Sequence, residues 1–252
     1  MPYILEECEA GKVLERECYF TYRVKRKSEK REPKVRPSSE ATKKYNTRQR
    51  IKKLRRLMNE NFVDGDYLLT LDYFRNNNIT NEQMQKEVEK FCRKMRTAFK
   101  KAGKEFKYIY TKEIGPKGSR HIHMLIPRCD LELIRKFWTN GGINVKPLYS
   151  DGQYSKIAEY FIKYSEKTES TLLSQGEKVG KAYYPSRNLR KPRVKKKVVS
   201  ARQWRKNPTE RKGYYLDKDS VHEGISELTG YEYFSYSLIK LDLEGGPPNG
   251  RD

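Results

Sequence analysis

Two of the three histidines, His121 and His123, stand one residue apart in the apolar run RHIHMLI, residues 120–126. Side chains alternate along a strand, so both imidazoles point to one face and Ile122 and Met124 to the other. Such a pair can share one metal ion, or it can be two surface histidines on a solvated sheet. The preceding segment FKYIYTKEI, residues 106–114, reads as the hairpin partner across the turn GPKGS. With that turn centred on Lys117, Glu113 lies opposite His121 and shares its face. Two imidazoles and a carboxylate with open positions suit a divalent cation that also binds a substrate oxygen. Mn2+ and Mg2+ are the physiological candidates, and ligand type alone leaves Zn2+ open.

A second constellation is EYFIKYSEK, residues 159–167, which contains Tyr-x-x-Lys twice: Tyr160 with Lys163 and Tyr164 with Lys167. On a helix the two phenols lie one turn apart, with Gln153, Lys156, Lys163 and Lys167 on the same side. Ile157, Ala158, Phe161, Ile162 and Ser165 fall toward the other side. The tyrosines can simply rim the core of an amphipathic helix. A phenol beside ammonium groups has another use, because the charge favours phenolate and holds a phosphate. A tyrosine so placed can attack a phosphodiester covalently.

The elements that must carry these residues follow from periodicity. DYLLTLDYF, 66–74, reads as a strand. Thr80 opens a helix with a capping box closed by Gln83, and Met84, Val88, Phe91, Met95 and Phe99 form its apolar stripe up to Gly103. After the hairpin, Asp130 begins a short helix, INVKPL is a strand, and the tyrosine segment is a last helix. The order β-α-β-β-α-β-α predicts an α+β fold: an antiparallel sheet with a split β-α-β core of ferredoxin or RNA-recognition type, covered by helices on one face. Residues 1–22 suggest one or two short strands, 25–41 a basic linker, and 42–58 a basic amphipathic helix with Ile51, Leu54, Leu57 and Met58 inward. Beyond 170 the chain is less regular: a basic stretch at 187–206, a helix over KDSVHEGISEL carrying His222 on the surface, an aromatic strand YEYFSYSLIKL and a frayed tail. The expected division is 1–61, 62–169 and 170–252.

The chain of 252 residues has 55 basic and 33 acidic side chains, a formal charge of +22, and 19 tyrosines. A chain so charged seeks polyanions, and aromatics beside cations favour nucleic acid. No run approaches the ~18 apolar residues of a spanning helix, and the N-terminus lacks a signal-peptide pattern. Cys8, Cys18, Cys92 and Cys129 have no CxxC spacing, so reduced thiols in a cytoplasmic protein are expected rather than a zinc site. GxxxxGK[ST] is absent, so no helicase activity is expected.

A His-hydrophobe-His strand followed by a Tyr-x-x-Lys helix resembles the HUH superfamily of single-strand DNA endonucleases. It is most similar to the rolling-circle replication initiators (Rep proteins) of phages, plasmids and integrative elements. YFIKY resembles the two-tyrosine pattern of initiators of isometric single-stranded DNA phages. The flanks NFVDGDYLLTLDY, KYIYTKEIGPKGSRHIHMLIP and SRNLRKPRV are similar to replication-associated proteins of bacterial mobile elements, and the likeness covers about 62–168. The resemblance implies an HUH endonuclease core with basic extensions. It implies His121, His123 and Glu113 as metal ligands, with Asp72 in reserve for Glu113. Tyr160 would be the principal nucleophile, Lys163 its helper and Tyr164 a second nucleophile; Lys167, paired with Tyr164 by the second Tyr-x-x-Lys, is counted with the catalytic set.

By this resemblance the expected function is site-specific nicking and joining of single-stranded DNA at a replication origin, through a 5′-phosphotyrosine and a divalent metal. Host helicase and polymerase would complete replication. Non-specific grip on DNA is expected from Lys52, Lys53, Arg55, Arg56, Lys156, Arg190, Lys191, Arg193, Lys195, Lys196 and Lys197. Two alternatives stand beside it: an HUH relaxase or transposase, and a non-catalytic nucleic-acid-binding module built on a similar sheet.

Overall fold

The computed structural model describes residues 2–22, 39–74, 79–115, 119–149, 153–200 and 207–241. The expected basic linker from 25 to 38, the middle of the GPKGS turn, residues 201–206 and the tail from 242 lie outside the described residues. In chain order the elements are β1 (Pro2–Ala10), β2 (Val13–Phe20), α1 (Glu40–Asn61), β3 (Tyr67–Asp72), α2 (Asn81–Lys101), β4 (Ile109–Ile114), β5 (Arg120–Ile126), α3 (Leu131–Phe137), β6 (Ile143–Pro147), α4 (Ser155–Ser174), β7 (Tyr184–Pro185), β8 (Arg193–Ser200), β9 (Tyr214–Ile225) and β10 (Glu232–Lys240). They divide into two compact units, one of residues 51–190 and one of 1–50 with 191–252.

The central unit holds the histidines and tyrosines. Its sheet has the order β6-β3-β5-β4-β7, with every pair antiparallel. The β3-α2-β4 and β5-α3-β6 halves interleave, which is the split β-α-β arrangement of an α+β fold. The expected capping box opens α2, with Thr80 accepting from the Gln83 amide and the Gln83 side chain from the Thr80 amide. The α2 stripe of Met84, Val88, Phe91, Met95 and Phe99 packs on Leu69, Leu71, Tyr110, Ile114, Ile122, Met124 and Ile126, joined by Ile134 and Trp138.

The sequence reading placed the helices on one face, and the structure corrects it. The opposite face is also covered: Leu68, Ile109 and Leu125 pack with Leu54 and Met58 of α1 and with Tyr154, Ala158, Phe161 and Ile162 of α4. The strands require this. Residues 68, 109 and 125 alternate out of phase with the first core and are apolar, so they need cover of their own. His121 and His123 share that second face, which brings α4 over them.

The other unit joins the two ends of the chain. Its sheet runs β8-β1-β2-β10-β9. β1 pairs with β8, and β2 pairs with β10. The aromatic strand expected near the C-terminus is β10. The helix expected over KDSVHEGISEL is instead β9, antiparallel to β10. Val221, Ile225 and Leu228 mimic a helical period, but the sheet edge offered by β10 outweighs it, and Gly224 weakens any helix there. His222 is exposed on that strand. A turn follows it: Gly230, at φ 71°, donates to the Ser226 carbonyl, and Ser226 donates to the Tyr231 carbonyl.

Thr80→Ala should lower the stability of the central unit by about 1 kcal/mol through loss of the cap. Met95→Ala, which empties a fully buried position, should lower it by about 2–5 kcal/mol. Urea unfolding followed by circular dichroism checks both values and their order.

Candidate active site

The register places the chemistry. Glu113 lies opposite His121 across β4 and β5, as a turn centred on Lys117 requires. On the other side of β5, Asp72 lies opposite His121 and Thr70 opposite His123. Thr70, Asp72, Glu113, His121 and His123 therefore share one face. The sequence analysis gave Thr70 no role, although its spacing of two from Asp72 places it on this face.

The contacts link these side chains in two groups. His121 Nδ1 lies 2.7 Å from Asp72 Oδ1. The carboxylate accepts there, which leaves Nε2 of a neutral His121 ring with its lone pair. His123 Nε2 lies 2.9 Å from Glu113 Oε2, and its Nδ1 lies 3.2 Å from the Thr70 hydroxyl. Lys167 Nζ donates to Glu113 Oε1 at 2.6 Å. Glu113 thus bridges the histidine strand and the tyrosine helix. Thr168 reinforces the join: its hydroxyl donates to the Lys112 carbonyl and accepts from the Ile114 amide.

Electrostatics follow from burial and these partners. Burial penalises the charged form of His123 more than Glu113 favours it, so its pKa lies below the ordinary histidine value. Burial opposes ionisation of Glu113 as well, but hydrogen bonds from Lys167 and His123 outweigh it and hold the carboxyl below its ordinary value. The pair at neutral pH is a neutral imidazole and a carboxylate. The carboxylate can only accept, so His123 Nε2 carries the proton and Nδ1 accepts from Thr70.

Among the described residues no three His, Cys, Asp or Glu side chains form a metal-binding group. The His121 and His123 rings lie 6.3 Å apart, and Glu113 is engaged by His123 and Lys167. In donor type the set of two imidazoles and a carboxylate fits a divalent cation. Binding at Nε2 of His123 would shift that ring's proton to Nδ1 and free Glu113 from the ring. Asp72, the reserve ligand, is placed to orient His121.

The tyrosine helix lies over this strand. The Tyr164 ring stacks on His123 at 4.2 Å between centroids, tilted by 11°. Tyr160, one turn earlier, has its ring 5.7 Å from that of Tyr164 and is 57% exposed. Burial raises the Tyr164 pKa, helped by the Glu113 charge, while Lys167 opposes the rise. At Tyr164 the expected ammonium assistance is outweighed by burial and by the Glu113 charge. Lys163 is exposed on the same helix.

The residues expected to grip DNA separate by environment. Lys53, Lys156, Arg190, Lys191, Arg193, Lys195 and Lys197 are exposed, and Lys52 and Arg55 are half-buried. Arg56, on α1, is buried. It lies two residues from both Leu54 and Met58, so the helix points it away from the side those two share, and it is buried all the same. Lys196 is ion-paired with the buried Glu6 at 2.8 Å, and that bond raises its pKa.

Residues 66–169 match the model of the replication-associated protein ORF2/G2P family. The match spans β3 through most of α4 and so contains every residue of the site. It supports a role in replication initiation and interaction with DNA. No curated protein and no solved structure matches the chain. No helix among the described residues is long and apolar enough to cross a membrane.

Tyr164→Phe should leave thermal stability unchanged, because the stacked ring remains. Tyr164→Ala should destabilise by at least ~0.5–1.5 kcal/mol, the value of a ring pair beyond its buried area. Parallel melting curves of the three proteins check this and qualify Tyr164→Phe as a probe of chemistry.

Proposed function

We propose that the protein is an HUH-type endonuclease and strand transferase that nicks and rejoins single-stranded DNA at an origin, starting and ending rolling-circle replication. The observation that carries this reading is the placement of a two-tyrosine helix against the histidine strand, with Tyr164 flat on His123. The family match over the same residues supports it.

In this reading His121, His123 and Glu113 would hold a divalent cation, Mn2+ or Mg2+. When bound, the ion supplies charge stabilisation to the scissile phosphate. Asp72 orients His121, and Thr70 would accept a hydrogen bond from His123 Nδ1–H with Nε2 turned to a cation. Lys163 and Lys167 neutralise phosphate charge. Tyr160 is the more exposed phenol and makes the first attack. Its oxygen gives up the phenolic proton and bonds to phosphorus, the bond to the 3′ oxygen breaks, and that oxygen takes up one proton in exchange and leaves as a primer hydroxyl. The 5′ phosphate remains on tyrosine. A 3′ hydroxyl later attacks the phosphotyrosine, expels the phenol and restores the phosphodiester. Tyr164, once unstacked from His123, attacks in the second round. Exposed cations of the central unit such as Lys53 and Lys156 hold the strand without regard to sequence.

The test uses single-stranded oligonucleotides tiled across the DNA flanking the gene, incubated with the protein and Mn2+ and resolved on a denaturing protein gel. A covalent adduct is expected from one tile. It should vanish with EDTA and fall at least 100-fold, a ~2.7 kcal/mol effect, in Tyr160→Phe. Loss in Tyr164→Phe with retention in Tyr160→Phe would reverse the assignment of the nucleophiles. Tight binding with no adduct on any tile would favour the non-catalytic module. The binding constant should also fall with salt, with a logarithmic slope of about −0.7 per phosphate contacted.

A further inference from the structure

The ladder between β3 and β6 extends beyond the strand ends in the same register. Thr70 pairs with Asn144 and Leu71 with Ile143. Asp72 then donates to the Gly142 carbonyl at 2.8 Å, and Phe74 donates to the Asn140 carbonyl at 2.9 Å. Alternation therefore continues through 74. Tyr73 confirms the phase, because its ring packs edge-on against Trp138 at 5.2 Å, within the α2 and α3 core. Phe74 falls on the other face, the one on which Thr70 reaches His123 and Asp72 reaches His121.

Phe74 belongs to neither core of the central unit and is 61% exposed. It stands two residues past the carboxylate that holds His121, about 6.8 Å along the strand. Its position is fixed by the ladder and by the glycines opposite. A Cβ on Gly141 would come within 2.3 Å of the Asp72 carbonyl oxygen, and one on Gly142 within 3.2 Å of Asp72 Oδ2. At Gly141 no side chain fits against the Asp72 backbone, and at Gly142 one would push on the Asp72 carboxylate. An isolated apolar side chain on a surface needs no explanation. This one is held in register with the histidines, on the open end of their face, in a chain of charge +22.

We propose that Phe74 is a stacking platform for a base of single-stranded DNA, the base next to the phosphate that lies at His121 and His123. The proposal rests on the endonuclease reading. Every base offers a π face, so the platform is tolerant of sequence and adds affinity beyond the phosphate contacts. It also fixes which nucleotide lies over the histidines, since the strand is pinned beside them.

The test measures binding of a fluorescein-labelled 20-nucleotide poly(dT) by anisotropy, without added metal, for the full chain and three variants. Phe74→Ala should weaken binding roughly 5- to 150-fold. Phe74→Trp should bind within twofold of the parent or tighter. Tyr149→Ala is the control: Tyr149 is 78% exposed but lies just beyond β6 at the opposite end of the β3–β6 ladder, and its loss should change binding less than twofold. Irradiation of the complex with 5-iododeoxyuridine in the strand should crosslink the peptide containing Phe74. Equal affinities of the parent and Phe74→Ala with no such crosslink overturn the proposal, as does an equal loss in Tyr149→Ala. A change in sedimentation of Phe74→Ala without DNA, with binding unaltered, would assign the ring to contact between copies and overturns it too. Failure of the parent itself to bind or to form the covalent adduct would instead remove the endonuclease reading beneath it.

Discussion

One carboxylate holds the site together. Glu113 is largely buried, and its two oxygens take hydrogen bonds from His123 on the sheet and Lys167 on α4. A buried carboxylate is tolerated only where donors compensate its lost hydration. That requirement sets the distance between strand and helix at the point where the imidazoles meet the phenols. The stack of Tyr164 on His123 and the clamp of Thr168 on the β4 backbone follow from the same approach. The carboxylate is also the group that a cation would recruit, so the contact that fixes the helix is the one that binding would rearrange.

The strands serve two demands through alternation alone. In β5, Ile122, Met124 and Ile126 lie under α2 while His121 and His123 face α4. In β3, Leu69 and Leu71 fill the first core while Thr70 and Asp72 hold the histidines. A one-residue slip of β5 would bury imidazoles under α2 and expose the apolar set, so the register of the site is protected by the cost of misplacing the core. The active face inherits its precision from packing on the reverse of the same strands.

Much of this was legible in the residues. The His-Ile-His spacing, the turn centre at Lys117 and the capping box at Thr80 are local patterns, and local patterns determine strand phase, hairpin register and helix start. What the sequence did not disclose is long-range. Nothing in the periodicity of residues 2–20 names 193–200 or 232–240 as partners, yet β1 and β2 pair with β8 and β10. The misread helix at β9 has the same origin, because its apolar spacing is helical and only the neighbouring edge of β10 makes it a strand. The cover of the second sheet face was implicit in Leu68, Ile109 and Leu125, whose phase opposes that of the first core. The bond between Lys167 and Glu113 joins residues 54 positions apart and is set by the packing of α4, not by any motif.

Positive charge alone also overstates the binding surface. Arg56 and Lys196 count fully in a charge sum of +22, but one is buried in the packing of α1 and the other neutralises Glu6. Mobile counterions leave DNA only where a protein cation replaces them at a phosphate, so a cation already paired inside the fold adds little to salt-dependent affinity. The effective surface is smaller than composition suggests. A ring stacked on a base beside the histidines, as proposed for Phe74, would fix the position of the strand without adding charge.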